Sequence, residues 1–328
     1  MHFNSVKSKI KIVSTGYYLP PRKQTSGELA PLIGRSEKWI KSRTGINERR
    51  IAEEPMNVIG ANAARDALGS GSAPDCIINA STTPLQLIPD SSVFIQESLG
   101  FSAVPSWSVH ATCLSFVVAL VNAAGMIHMN QYRRILIVSS ETGTPWRNLN
   151  EPESAALFGD GAAAAVIEPT PDEESSGLID WEMNTWPDGA QYTEFRGAGT
   201  RYPPNDNEKT KPEDNLFHME GASVYRLGRE RVYVTLSALL KRNNLKPKDI
   251  SLVIPHQASG PALEAAAMYG FKKDRVVNII AEHGNCISAS IPMAMAVADK
   301  KNRLKRGDII LLGGTGAGLS VAFALIRW

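Results

Sequence analysis

Three side chains stand where their types and positions could carry chemistry: a cysteine, a histidine and an asparagine. Cys113 follows an extended run, Ser106–Val109, and precedes Leu114-Ser-Phe-Val-Val-Ala-Leu-Val, which places it at or near a helix N-terminus. There, unpaired N–H groups and the helix dipole favour a thiolate, so a lowered thiol pKa and a nucleophile are expected. Free cysteine is also a common small core residue. His256, in Val253-Ile-Pro-His-Gln-Ala-Ser, directly follows an apolar strand, where α/β folds put functional groups. It can donate a hydrogen bond or exchange a proton near neutral pH, and standing alone it reads first as a satisfied histidine at a strand end. Asn285, in His283-Gly-Asn-Cys-Ile-Ser, precedes a second apolar helix. Its side-chain N–H can polarise a carbonyl, while standing alone it would be a helix N-cap.

Other motifs compete for attention. The pairs His110/Cys113 and His283/Cys286 raise a zinc site, but each runs straight into an apolar helix with no further Cys or His to close a cage, so no metal is expected. Gly313-Gly-Thr-Gly-Ala-Gly318 lacks the third glycine, the Lys-Ser/Thr and the following helix of a nucleotide loop. It reads as a glycine turn that lets backbone N–H groups approach a reacting carbonyl. Phe158-Gly-Asp-Gly-Ala reads as a tight turn into a close-packed strand.

The elements that must position these residues follow an α/β rhythm. Strands are expected at Lys9–Ser14, Cys76–Ala80, Ile135–Ser139, Ala162–Ile167, Ser251–Ile254, Val276–Ile280, Asp308–Leu312 and Val321–Ile326. Helices are expected at Val58–Leu68, Ser91–Leu99, Leu114–Met129, Ala222–Lys241, Pro261–Met268 and Ser290–Lys301. Pro169 to Gly221 is rich in Pro, Gly and acidic residues and reads as connection and surface loops, with an excursion from Tyr202 to Asn215. The most informative feature is a repeat. His110-Ala-Thr-Cys-Leu-Ser recurs as His283-Gly-Asn-Cys-Ile-Ser, 173 positions later, with flanking strands in register. Two similar lobes facing each other, residues 1–170 and 221–328 joined by 171–220, would bring Cys113 and the second copy's residues to one site.

Composition narrows the classes. With 328 residues, 35 Lys+Arg against 33 Asp+Glu and a net charge of +2, the chain has an ordinary globular make-up and no basic excess for nucleic acid. No membrane-span-length apolar run and no signal-peptide core are present, and three cysteines without CxxC spacing fit a reducing cytoplasm.

With Cys, His and Asn in that order, the chain resembles the β-ketoacyl-acyl-carrier-protein synthase III group of the thiolase superfamily. The matching stretches are Ser36 to Ile51, the Cys113 segment, Phe158-Gly-Asp-Gly-Ala, His256-Gln-Ala, His283-Gly-Asn285 and the closing glycine turn. The resemblance implies a homodimer of five-layered α-β-α-β-α protomers, no cofactor beyond coenzyme A thioester substrates, and Cys113 as nucleophile toward an acyl-CoA. His256 and Asn285 would then hold the thioester oxygen of a malonyl-type extender as carbon dioxide leaves, and the new carbanion would attack the acyl-Cys113 carbonyl. Backbone N–H groups of Cys113 and the Gly316–Ala317 turn would form the oxyanion hole. By the same resemblance Trp39 would stack on the CoA adenine and Arg43 support the nucleotide end. Cys286 is expected to be a neighbour rather than a nucleophile.

Departures from the family pattern carry their own expectations. The run Ser259-Gly-Pro-Ala-Leu-Glu-Ala-Ala-Ala-Met-Tyr lacks the Arg and Lys that dock an acidic acyl carrier protein, so that partner stays open. The arginine expected before the Phe158 turn is replaced by Pro152-Glu153. Arg147 is a candidate for pairing with the carboxylate of a dicarboxylic acyl donor, as in the branch that makes 3-oxopimeloyl precursors of biotin, and reads otherwise as a surface arginine. Two alternatives to condensation stay open: acyl transfer from Cys113 to an alcohol or amine, and a non-catalytic acyl-CoA-binding subunit.

Overall fold

The structure is a computed structural model that describes residues 7–328. Residues 1–6, part of the segment read above for a leader, lie outside the described residues. The strands are β1 (Ile10–Tyr18), β2 (Lys23–Thr25), β3 (Glu48–Arg50), β4 (Cys76–Asn79), β5 (Ser106–Ser108), β6 (Ile135–Glu141), β7 (Gly161–Pro169), β8 (Gly177–Thr185), β9 (Thr193–Glu194), β10 (His218–Met219), β11 (Leu252–Pro255), β12 (Ile309–Gly316) and β13 (Ser320–Arg327). The helices are α1 (Ser26–Leu29), α2 (Glu37–Thr44), α3 (Met56–Leu68), α4 (Ser91–Leu99), α5 (Ser115–His128), α6 (Pro152–Ala155), α7 (Gly221–Arg242), α8 (Gly260–Glu264), α9 (Ile280–His283) and α10 (Ser290–Lys300). Among the described residues no helix is long and apolar enough to cross a membrane.

Two mixed sheets carry the fold, ordered β1-β7-β6-β4-β5 and β11-β12-β13-β8. Their pairings correspond step by step. β4 runs parallel to β6 as β11 does to β12, then β6/β7 and β12/β13 are antiparallel, and β7/β1 and β13/β8 are antiparallel. Because successive strand side chains point to opposite faces, each sheet buries both. Ile78, Ile137 and Ala165 of the first sheet and Ile254, Leu312 and Ala324 of the second share one core with Phe116 and Leu120 of α5 and Met293 and Val297 of α10. The opposite faces take α3 against Ile77, Leu136 and Ala164, and α7 against Val253, Leu311 and Phe323. The layers therefore run α3, sheet, α5 with α10, sheet, α7, which is the five-layered thiolase arrangement.

Four sequence expectations need correction. The run Gly313–Gly318 is a turn only at its end, since Gly313 to Gly316 extend β12 and pair with Phe323 to Ser320 of β13, the glycines' missing side chains letting the two backbones continue side by side. The segment Pro169 to Gly221 is not only connection, since β8 within it supplies the edge of the second sheet and corresponds to β1. Its alternation is masked by the turn-rich residues on either side. The strand expected at Val276–Ile280 shrinks to a single bridge between Val253 and Val276, with Gln257 taking the Val277 carbonyl and the Ile279 N–H and α9 beginning at Ile280. Gln257 Nε2 donates to the Pro255 and Val277 carbonyls, and its Oε1 accepts from the Ile279 N–H. The helix expected at Pro261–Met268 keeps its α form only to Glu264 and tightens to a 3-10 turn over Ala265–Tyr269.

Candidate active site

Backbone strain presents Cys113. Thr112 adopts φ +50°, in the left-handed region, which costs a non-glycine residue roughly 1–3 kcal/mol. The bend carries the chain from the extended β5 segment into α5. It is held by the Leu114 and Ser115 N–H groups donating to the Ala111 and Thr112 carbonyls, at 3.1 and 3.0 Å. Ser115 Oγ accepts from the Ala111 N–H and donates to the Thr112 carbonyl. Across the bend only glycine fits at position 316, where a Cβ would lie 2.6 Å from Thr112 Oγ1.

That bend consumes amides that were expected to lower the thiol pKa. Burial instead pushes the Cys113 thiol up to about 12, and the charge of Glu141 adds to the rise. The N–H groups of Cys113 and Ala317, which bond the sulfur, offset this only in part. The expected resting thiolate is therefore corrected to a neutral thiol.

His256 extends the line of β11, its N–H donating to the Gly313 carbonyl at 2.9 Å. The residue is 6% exposed, its Nδ1 is buried without a partner, and burial lowers its pKa to about 4, so the imidazole is neutral. Asn285 is placed by the Phe158 turn. Its N–H donates to the Leu157 carbonyl at 2.8 Å and its carbonyl accepts from the Gly159 N–H at 3.1 Å. The approach is so close that a Cβ on residue 159 would lie 2.1 Å from the His283 carbonyl oxygen. Asn285 Oδ1 accepts from the Ile287 N–H at 2.9 Å, the local turn bond of a capping residue. That bond aims Nδ2 toward the Ala258 carbonyl, 3.4 Å away, on the His256 side.

Cys113, His256 and Asn285 line one cavity of about 540 Å³, mostly apolar, with Trp146, Phe158, Phe195 and Phe217 in its wall and Gly316 and Ala317 beside the cysteine. Phe195 and Phe217 flank the Tyr202–Asn215 excursion, whose own residues do not line the cavity. Cys286 lies 1% exposed, with burial pushing its thiol up strongly.

The expected substrate-binding residues are not brought to this cavity. Trp39 and Arg43 lie on α2, an element the pattern search missed although Ser36 caps its start and Gly45 ends it. Trp39 is half-buried with the Arg35 guanidinium 5.3 Å from its ring, and Arg43 is exposed. α2 packs beside α8, where Gly45 and Gly260 meet. Arg147 does not line the cavity either. Its Nε donates to the Thr144 carbonyl and its Nη1 to Gln24 Oε1, at 2.9 and 2.8 Å.

Sequence reasoning also missed Glu141, the last residue of β6, buried behind the cavity. A single acid closing the apolar run Ile-Leu-Ile-Val-Ser-Ser-Glu, at a strand C-terminal end, was the available signal.

Comparison with known proteins agrees with this architecture. Residues 108–187 match the family described as 3-oxoacyl-[acyl-carrier-protein (ACP)] synthase III, and residues 240–328 match its C-terminal counterpart. The chain is 32% identical over 325 residues to a β-ketoacyl-[acyl-carrier-protein] synthase III of Rickettsia bellii, covering 97% of this chain and 99% of that one. The crystal structure of the 3-oxoacyl-[acyl-carrier-protein] synthase III of Aquifex aeolicus superposes with a TM-score of 0.87 at 30% identity, covering 97% of this chain and all of the other. The priming β-ketosynthase of the R1128 polyketide pathway gives 0.87 at 27%, covering 99% and 98%. Fold and likeness together define a condensing enzyme of the thiolase superfamily. Within that class, the chain belongs to the 3-oxoacyl-acyl-carrier-protein synthase III family.

Proposed function

We propose that this protein loads an acyl group from acyl-CoA onto Cys113 and condenses it with a malonyl thioester to give a 3-oxoacyl product. The observation that carries this reading is the meeting of Cys113 from one half with His256 and Asn285 from the other on a single apolar cavity. In the first step the Cys113 sulfur bonds to the thioester carbonyl carbon, the carbon–sulfur bond to CoA breaks, and the thiol proton ends on the departing CoA sulfur. The N–H groups of Cys113 and Ala317 suit the oxyanion formed on the way.

In the second step the neutral imidazole of His256, with its proton on Nε2, and the Nδ2 of Asn285 donate to the malonyl thioester oxygen. The carbon–carbon bond to the carboxylate breaks and carbon dioxide leaves. The resulting carbanion bonds to the acyl carbonyl carbon, Cys113 departs as thiolate, and it takes up one proton from solvent. A histidine held near pKa 4 is a poor base toward an alcohol or amine, which favours condensation over transfer to such acceptors.

The acyl-CoA would thread past Met219, Val224 and Ala258, which line both the main cavity and an adjoining cavity of about 200 Å³ beneath α7. For the second substrate, a carrier-bound malonyl group gains support from Arg226 and Arg229 of α7, which outnumber Glu230 on an exposed face shared with Tyr233 and Met268. The protein is proposed to act as a homodimer. Incubation with radiolabelled acyl-CoA followed by malonyl-CoA tests the reading. Label on Cys113 and later release of carbon dioxide with a 3-oxoacyl product are expected, and an unlabelled protein refutes it.

A further inference from the structure

Glu141 is a fully buried carboxylate that none of these steps uses, and it joins the two halves of the site. It ends β6 in the first half. Its Oε1 accepts from the Thr82 N–H at 2.6 Å and from the hydroxyl of Ser288, and its Oε2 accepts from the Thr83 N–H at 3.0 Å and from Thr83 Oγ1 at 2.7 Å. Thr82 and Thr83 form part of the cavity wall near Cys113. Ser288 belongs to the second half, three residues beyond Asn285 in the same tight turn. Each carboxylate oxygen thus takes two donors, and the set spans the boundary across which Cys113 and Asn285 must face each other.

The repeat sharpens the point. Ser288 is the counterpart of Ser115, whose hydroxyl is spent within its own turn on Ala111 and Thr112. Only the second copy's serine reaches out of its turn to the other half. Backbone contacts fix the Asn285 segment from the Phe158 side, and without Glu141 the Ser288 side of the turn would lose its cross-half partner.

We propose that Glu141 is a positioning residue for condensation, clamping the Asn285 turn to the Thr82–Thr83 wall so that the Asn285 amide is aligned with the acyl group on Cys113. The inference rests on the condensation reading. It predicts that the clamp matters where Asn285 acts and little where Cys113 acts alone.

The test separates the half-reactions in the full-length protein: the burst of CoA from acyl-CoA, and carbon dioxide release from malonyl-CoA by the preloaded enzyme. Glu141→Gln presents an amide N–H₂ to buried donors, and condensation is expected to fall about 30-fold while the burst does not slow, since losing the charge that helps hold the Cys113 thiol up favours its thiolate. Ser288→Ala, which removes one donor and leaves the carboxylate in place, is expected to lower condensation about fivefold, again sparing the burst. It also covers the case in which Glu141→Gln does not fold. The Glu141→Gln/Ser288→Ala double variant should be no slower than Glu141→Gln, because Ser288 acts through the same carboxylate. Parallel losses in burst and condensation, or Ser288→Ala condensing at the wild-type rate, overturn the proposal while leaving the condensation reading intact. A wild-type protein that takes no label on Cys113 overturns both.

Discussion

The two copies of the His-x-x-Cys-x-Ser motif share spacing and place in the fold yet have diverged in what they expose. In the first, left-handed strain at Thr112 lifts Cys113 to the cavity and the turn is closed by Ser115. In the second, the preceding position is Asn285, which faces the cavity, while Cys286 is buried behind it. The cavity takes both the cysteine and the preceding Thr112 from the first copy but only the preceding Asn285 of that pair from the second, so one copy offers a thiol and the other an amide donor. On the proposed reading, a duplicated lobe needs no new architecture to supply both partners of a two-step acyl transfer.

Exchanging the two cysteines tests that divergence most severely. Cys113→Ala is expected to abolish acyl labelling and condensation, a loss of at least about 10⁴-fold, since no other thiol reaches the cavity. Cys286→Ala should retain activity within about threefold and cost roughly 1 kcal/mol of stability through a small buried gap. Acyl-label mass mapping and thermal melts check both, and label on Cys286 would break the comparison. Next in size, Asn285→Ala is expected to slow carbon dioxide release from malonyl-CoA about 10²–10³-fold, as for loss of a donor to a developing oxyanion. Labelling of Cys113 should persist in that variant, and an unlabelled protein would show that the two copies do not divide the work in this way.

Much of this was legible in the chain. The α/β order and the repeat follow from periodicity and spacing, because buried strands and apolar helices leave strong local patterns, whereas Cys113, His256 and Asn285 were candidates from their places at element ends that the family resemblance singled out. What was not legible depended on contacts distant in sequence. β8 lies in turn-rich surroundings, and the strand expected at Val276–Ile280 is displaced by a side chain, Gln257. Glu141 becomes conspicuous only once Thr82, Thr83 and Ser288 surround it. The protonation state of Cys113 also escaped, since spacing reveals a helix N-terminus but not how deeply the thiol is buried or that the Glu141 charge lies near it.

That state gives the next prediction. A thiol raised to about 12 is protonated throughout the working range, and its thiolate fraction grows about tenfold for each pH unit well below the pKa. Alkylation of Cys113 by iodoacetamide should therefore rise about a hundredfold from pH 7 to pH 9 without levelling. A plateau near pH 7 would restore the low-pKa thiolate. Cys286, higher still and shielded, should stay unmodified while the protein is folded.

The smallest effect is expected at Arg147, which tests whether selectivity lies with the cavity wall or with charge outside it. Its guanidinium is tied to Gln24 and the Thr144 carbonyl, and Thr144 in turn donates to the buried carboxylate of Asp160. The geometry is that of a brace behind the Phe158 turn that places Asn285. Arg147→Ala should accordingly lower turnover of acetyl-CoA and glutaryl-CoA by the same factor, about threefold or less, with a measurable drop in melting temperature. A selective loss with glutaryl-CoA would instead mean that the side chain swings from its brace to meet a substrate carboxylate. The acyl end of the cavity would then be read by charge as well as by the aromatic wall of Trp146, Phe195 and Phe217.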